Sequence, residues 1–269
     1  MNNQPGVRGG GLGLRERWRR GASAAIQAAT DLLLPPSCNF CGQPLPSPGR
    51  QPLLCAACIG RIAPSAEPVC PRCAAPLPPL NSGPDCPRCR HRRYAFTSAR
   101  ALGVYRDRLR EMVIRMKQRV HEPLTLSVGY LLAQSMDPII RQDRPDMLVP
   151  VPCHWWKRMV RGVNGPDLLV EALATSWNLP AARRVLFCRR RTRKQGMLLP
   201  AERVRNVRDA FAVRKSYDLG NTHVMLVDDI LTTGATASQA ARTLRRGGAA
   251  RVSVLVVARG VGLDQRPPP

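Results

Sequence analysis

The sequence predicts an α/β protein in which a parallel sheet with covering helices follows a small cysteine-rich module. Three features of the 269-residue chain carry that expectation. Four Cys-x-x-Cys pairs crowd residues 38–89, and apolar runs alternate with helix-period patterns from about residue 96 onward. The third is the stretch 224–236, VMLVDDILTTGAT, an apolar run meeting two adjacent aspartates and a Thr-rich glycine turn.

The chain opens on a Gly-rich segment, Gly6 to Gly13, with no pattern to fold around and an expectation of disorder. Ala22 to Leu34 reads as an amphipathic helix, because Gln27 and Asp31 interrupt its apolar run and no clear small-residue cleavage site marks it as a signal, although Arg15 to Arg20 precede it. Residues 1–30 are therefore read as an N-terminal extension. No apolar stretch reaches the ~18 residues of a spanning helix, so no membrane span and a cytoplasmic location are expected.

The cysteine pairs are Cys38/Cys41, Cys55/Cys58, Cys70/Cys73 and Cys86/Cys89, separated by 13, 11 and 12 residues. A two-residue gap lets both thiolates of a knuckle face one zinc ion, and loops of this length bring a second knuckle round to close a tetrahedron. Four pairs make two Zn²⁺ sites. Sequential grouping is preferred, with Cys38, Cys41, Cys55 and Cys58 on one ion and Cys70, Cys73, Cys86 and Cys89 on the other; spacing leaves a cross-braced arrangement open. Four cysteines fill every position, so both sites are read as structural. Between the knuckles the sequence is proline-rich and poor in large apolar residues, so metal binding is expected to drive folding of a double zinc-ribbon module over residues 31–92. A disulfide framework or redox pair fits less well, since disulfides need an oxidising compartment and redox motifs come as one pair. Cys153 and Cys188 each follow an apolar run and read as small buried hydrophobes, and the four histidines show no ligand spacing.

Residues 96–269 form the α/β part. Strands are expected at 99–105, 147–152, 184–187, 223–229 and 251–259, and helices at 106–118, near 123–136, at 165–177 and at 235–246, the last stopped by Gly247-Gly248. In an open parallel sheet, ligands bind beyond the carboxyl ends of the strands, and Asp228 and Asp229 lie there. The turn Thr232, Thr233, Gly234, Ala235, Thr236 offers consecutive backbone N–H groups, hydroxyls and a helix N-terminus, which suit a phosphate monoester. Carboxylates beside it accept hydrogen bonds from paired hydroxyls one sugar away. A ribose 5-phosphate fits both ends.

The stretch resembles the signature of type I phosphoribosyltransferases. That resemblance implies binding of 5-phosphoribosyl 1-pyrophosphate with Mg²⁺, Asp228 and Asp229 holding the ribose hydroxyls and residues 232–236 the 5-phosphate. Together with VPVPCHWWKRMVRGVNGPDLL (149–169), RRRTRKQGMLLPAERVRNVRDAF (189–211) and the cysteine knuckles, it resembles the competence protein F (ComF) family over nearly all of the chain after residue 30. Members of that family join a zinc ribbon to a phosphoribosyltransferase-like domain and are implicated in bacterial uptake of single-stranded DNA. The resemblance implies single-stranded DNA and a DNA-uptake helicase as partners. One departure stands out: where the family reads Arg-Gly-aromatic-Asn-Gln, this chain has Arg161, Gly162, Val163, Asn164 and Gly165.

Such folds place a pyrophosphate loop after the strand at 147–152, which points to Lys157, Arg158 and Arg161. Arg193, Lys194 and Gln195 sit in a polar 189–206 segment suited to a lid. Two functions follow: an accessory binding module for DNA uptake, or a metabolic phosphoribosyltransferase whose acceptor the sequence does not name. The net charge of +24 decides little, because only four of the 42 basic residues are lysines, the mark of a general arginine bias. The twelve Arg/Lys against two acids in residues 183–215 are a local cluster beyond that bias and suit a polyanion.

Overall fold

The computed structural model describes residues 35–46, 52–62, 68–77, 86–153, 164–190 and 200–261. In chain order these form α1 (Ala56–Gly60), β1 (Ser98–Val104), α2 (Asp107–Arg115) and, after a 3-10 turn at Arg119–His121, α3 (Glu122–Gln142). Next come β2 (Met147–Pro150), α4 (Gly165–Trp177), β3 (Leu186–Cys188) and α5 (Pro200–Val207). β4 (Phe211–Val213), β5 (His223–Leu231), α6 (Ala235–Arg246) and β6 (Arg251–Arg259) complete the order.

Four strands form one parallel sheet in the order β1-β6-β5-β2. The central strands β5 and β6 read as continuous apolar runs because both of their faces are covered. Alternation along them sorts the core into two layers. Leu102, Leu148, Met225, Val227, Leu255 and Val257 face α2, α3 and α4, while Val224, Leu226, Val252, Val254 and Val256 meet Ala237, Ala240, Ala241 and Leu244 of α6. α3 and α4 cross closely, since a Cβ on Gly129 would stand 2.7 Å from that of Ala172.

The two halves of the cysteine-rich part dock at different places. Phe40, Leu54, Cys58 and Ile62 join the cluster formed by α2 and α3. There Asn39 Nδ2 donates to Ser127 Oγ at 2.8 Å, and Arg115, its guanidinium 4.8 Å from the Phe40 ring, donates to the Phe40 carbonyl at 2.9 Å. The half around Cys70–Cys89 abuts the sheet, where Ala99 N donates to Pro71 O at 3.1 Å.

Sequence expectation and structure differ in four places. The strand expected at 184–187 is β3, and it pairs antiparallel with β4 outside the main sheet. Three-residue strands carry no readable period, so β4 went unpredicted. α5 occupies part of the polar segment read as a lid. α3 runs to Gln142 with Pro138 inside it. β5 continues past the aspartates, with Ile230 opposite Ala258 and Leu231 opposite Arg259, so the acids lie within a paired strand. The extension over residues 1–30, with its expected helix, lies outside the described residues.

Candidate functional site

Asp228 and Asp229 lie toward the carboxyl end of β5, both half-buried. Asp229 N donates to Asp228 Oδ1 at 2.9 Å, and Lys117, just beyond α2, brings Nζ within 3.3 Å of Asp229 Oδ2. Burial and the neighbouring Asp229 charge hold the Asp228 carboxyl well above the usual range, against a smaller opposing pull from the Asp229 N–H and Lys117. Asp228 thus holds its proton more readily than an ordinary carboxyl, while Asp229 beside it has Lys117 as its ion-pair partner. A cleft of about 70 Å³ opens next to Asp229, lined by Lys117, Gln118, Arg119, Glu122, Cys153 and Asn164. Through Cys153 and Asn164 it adjoins a larger cleft of about 340 Å³ under the β3–β4 pair, where Arg214 sits 5.4 Å from the exposed Phe187 ring.

The turn after β5 is built around Gly234, which holds φ +77° as the residue capping α6. A Cβ there would lie 2.6 Å from Tyr94 Cε1, so glycine is required by conformation and by space. Ala235 N donates to Thr233 Oγ1 at 3.4 Å. Side chains from beyond the turn take hold of its carbonyls. Tyr94 Oη and Arg92 Nη1 each donate to Thr233 O at 3.3 Å. Arg259, only 4% exposed, donates Nη1 to Leu231 O at 2.8 Å and to Thr232 O at 2.5 Å, and Nε to Cys73 O at 2.7 Å.

The cysteines gather sequentially, Cys38, Cys41, Cys55 and Cys58 in one set and Cys70, Cys73, Cys86 and Cys89 in the other, each with its sulfurs within 4.8 Å of one another. Sulfur separations of 3.7 Å for Cys41–Cys55, 3.7 Å for Cys70–Cys89 and 3.8 Å for Cys73–Cys86 match the edge of a tetrahedron. Zinc–sulfur bonds of ~2.3 Å give an edge of about 3.8 Å. Burial alone raises the Cys38 thiol, but the N–H groups of Cys41, Cys55 and Phe40 outweigh it and bring Cys38 down to about 7. Both sets fit zinc.

Lys157, Arg158 and Arg161 lie outside the described residues, as do Arg193, Lys194 and Gln195. Cys153 and Cys188, expected to be buried, are half-buried, Cys153 because it lines both clefts. Sequence reasoning missed Lys117, Arg92, Tyr94 and Arg259 as site residues. Lys117 reaches Asp229, and Arg92, Tyr94 and Arg259 reach the turn, each from a distant part of the chain, so no local pattern marks them.

Residues 29–90 match the family model described as a double zinc ribbon domain. The chain is 29% identical over 235 residues to the DNA utilization protein YhgH of Salmonella typhimurium, covering 85% of this chain and 99% of that one. It is 25% identical over 210 residues to competence protein F of Haemophilus influenzae, covering 77% and 90%. A hypoxanthine phosphoribosyltransferase from Trypanosoma cruzi aligns over 51% of this chain and 65% of that one, with 12% identity and a TM-score of 0.33. With two four-cysteine sets where the double zinc ribbon model matches, the chain is similar along most of its length to the proteins named competence protein F and DNA utilization protein.

Proposed function

We propose that this chain binds 5-phosphoribosyl 1-pyrophosphate, or a related sugar phosphate, together with Mg²⁺, and acts in the cytoplasm as an accessory factor in single-stranded DNA uptake during natural transformation. One observation carries the reading: the half-buried carboxylate pair Asp228–Asp229 stands toward the carboxyl end of a central parallel strand, and the left-handed turn at Gly234 follows five residues after Asp229. In this reading residues 31–92 are the zinc-ribbon module and 96–269 the sugar-phosphate domain.

The turn's N–H groups and the start of α6 receive the 5-phosphate through Thr232, Thr233, Gly234, Ala235 and Thr236. Asp229, paired with Lys117, accepts from one ribose hydroxyl, and Asp228 accepts from the second once its raised pKa is passed and its proton has left to solvent. Two carboxylates and phosphate oxygens form a hard-oxygen donor set that suits Mg²⁺, which when bound neutralises charge on the pyrophosphate. The setting in DNA uptake rests on the relatives' names, competence protein F and DNA utilization protein. Single-stranded DNA and an uptake helicase are the partners it suggests, with the arginine-rich 183–215 region as the DNA contact.

The large cleft under β3–β4 favours a second reading, transfer of the phosphoribosyl group to an acceptor, because that space adjoins the carboxylate cleft. Titration with phosphoribosyl pyrophosphate and Mg²⁺, with and without an oligonucleotide, combined with an assay of pyrophosphate release, separates the two. Binding without release is expected for the accessory factor. Release that needs no DNA marks the transferase, and absence of binding overturns both.

A further inference from the structure

Arg259 is a buried guanidinium that, among the described residues, has no ion-pair partner, its hydrogen bonds going to the main-chain carbonyls of Cys73, Leu231, Thr232 and Gly260. Holding a charge in that state is costly unless opposite charge lies nearby. Two sources flank it. A zinc ion with four thiolates carries a net charge of about −2, and Cys73 is one of those ligands. On the other side stands the turn expected to take a phosphate.

The same contacts fix which way the turn faces. In a trans peptide the C=O of one residue and the N–H of the next point in opposite directions. Arg259 holds the carbonyl of Thr232, and Tyr94 and Arg92 hold that of Thr233. The N–H groups of Thr233 and Gly234 are thereby turned away from the cysteine-rich half. Tyr94 belongs to both sides of this joint, since its ring packs with the Cys70–Cys89 cluster and lies against Gly234. Stacking on Phe96, with ring centroids 4.6 Å apart, restrains it further.

We infer that Arg259, Tyr94 and Arg92 are positioning residues that orient the anion-binding face of the 232–236 turn from the second four-cysteine site, so that zinc at Cys70, Cys73, Cys86 and Cys89 and sugar phosphate at the turn strengthen each other's binding. The inference rests on the sugar-phosphate reading proposed above. The first site, packed on α2 and α3 through Phe40, stands outside this joint and is not coupled.

The test uses the full, zinc-loaded chain and phosphoribosyl pyrophosphate with Mg²⁺. Competition with a zinc-selective chelator gives the affinity of both zincs with and without the ligand, and alkylation of the released thiols identifies which set has opened. The expected result is a gain of about fivefold or more at the Cys70–Cys89 set only, a coupling of ordinary size that thermodynamic reciprocity requires to appear equally in ligand affinity. Tyr94→Phe keeps the ring and loses the hydroxyl, so it should weaken ligand binding about twofold to tenfold and shrink the zinc gain while leaving the first site's zinc affinity unchanged. Ligand binding with no change at the second site, or an equal change at both, overturns the coupling and leaves the sugar-phosphate reading standing. No ligand binding at all removes that reading and the coupling with it.

Discussion

Lys117 Nζ lies 3.3 Å from Asp229 Oδ2, and that lysine is the cation the carboxylate pair meets from across the cleft. Both side chains are part-exposed, so the pair contributes little stability. Its consequence is protonation. The Lys117 charge pulls the raised Asp228 pKa down, so removing it raises that pKa further. Lys117→Met is therefore expected to shift the midpoint of pH-dependent sugar-phosphate binding upward, with little change in thermal stability. Affinity measured from pH 5 to 9 checks this, and an unmoved midpoint would separate Lys117 from the titration.

Asp228 combines stability and function with opposite signs. Its folded pKa is raised above the unfolded value by burial and by Asp229. The stability it contributes is fully present below about pH 3.9 and is lost as pH rises through the folded pKa. Asp228→Asn should raise the melting temperature of the ligand-free protein at neutral pH, with the difference vanishing in acid. Asp228→Asn with Asp229→Asn should collapse ligand affinity, since hydrogen bonds to charged groups contribute roughly 1.5–3 kcal/mol each. Melting curves across pH and ligand titration of the folded double variant read the two effects separately.

Gly234→Ala meets two obstacles, a φ of +77° and a Tyr94 carbon 2.6 Å from the new methyl. Destabilisation of about 1–3 kcal/mol is expected from strain of this kind, visible in urea unfolding. Gly129→Ala is a useful parallel, because it clashes with Ala172 at 2.7 Å in the α3–α4 contact and meets no residue of the turn. Only the Gly234 variant should also lose sugar-phosphate affinity.

Two four-cysteine sets predict two zinc ions per chain. Chelation should expose eight thiols and unfold the cysteine-rich part, because the metal supplies its folding free energy. Elemental analysis and thiol titration before and after chelator measure this. Near-zero zinc with the cysteines oxidised in pairs would replace the metal sites by disulfides.

At the opposite end of β5, His223 is buried with Nδ1 2.8 Å from Arg251 Nη2 and Nε2 2.8 Å from Ser253 Oγ. Arg251 can only donate, so Nδ1 accepts and the ring is neutral. Burial and then the Arg251 charge lower its pKa, against a smaller lift from Asp143. The unfolded chain therefore binds the extra proton first as pH falls. Stability should drop as pH goes below about 6.5 and level off beneath the folded pKa. His223→Gln is expected to flatten this slope in melting temperature against pH.

Periodicity and spacing determined much of this protein. The cysteine intervals determined two four-ligand sets because a knuckle's geometry is local, and the apolar runs of β5 and β6 determined central strands because a doubly covered strand tolerates few polar residues. The limits of α4 and α6 were legible for the same reason: Pro166 and Gly247 act on their own neighbourhoods. The tertiary structure alone decided what reaches the site from far along the chain. β3 and β4 are too short to show a period, and their pairing depends on the fold around them. Lys117 meets Asp229, Tyr94 meets Gly234, and Arg259 joins Cys73 to Thr232 across gaps of 27 to 186 residues. Charge pairing and carbonyl satisfaction act through space at a few ångströms, so sequence proximity leaves no trace of them.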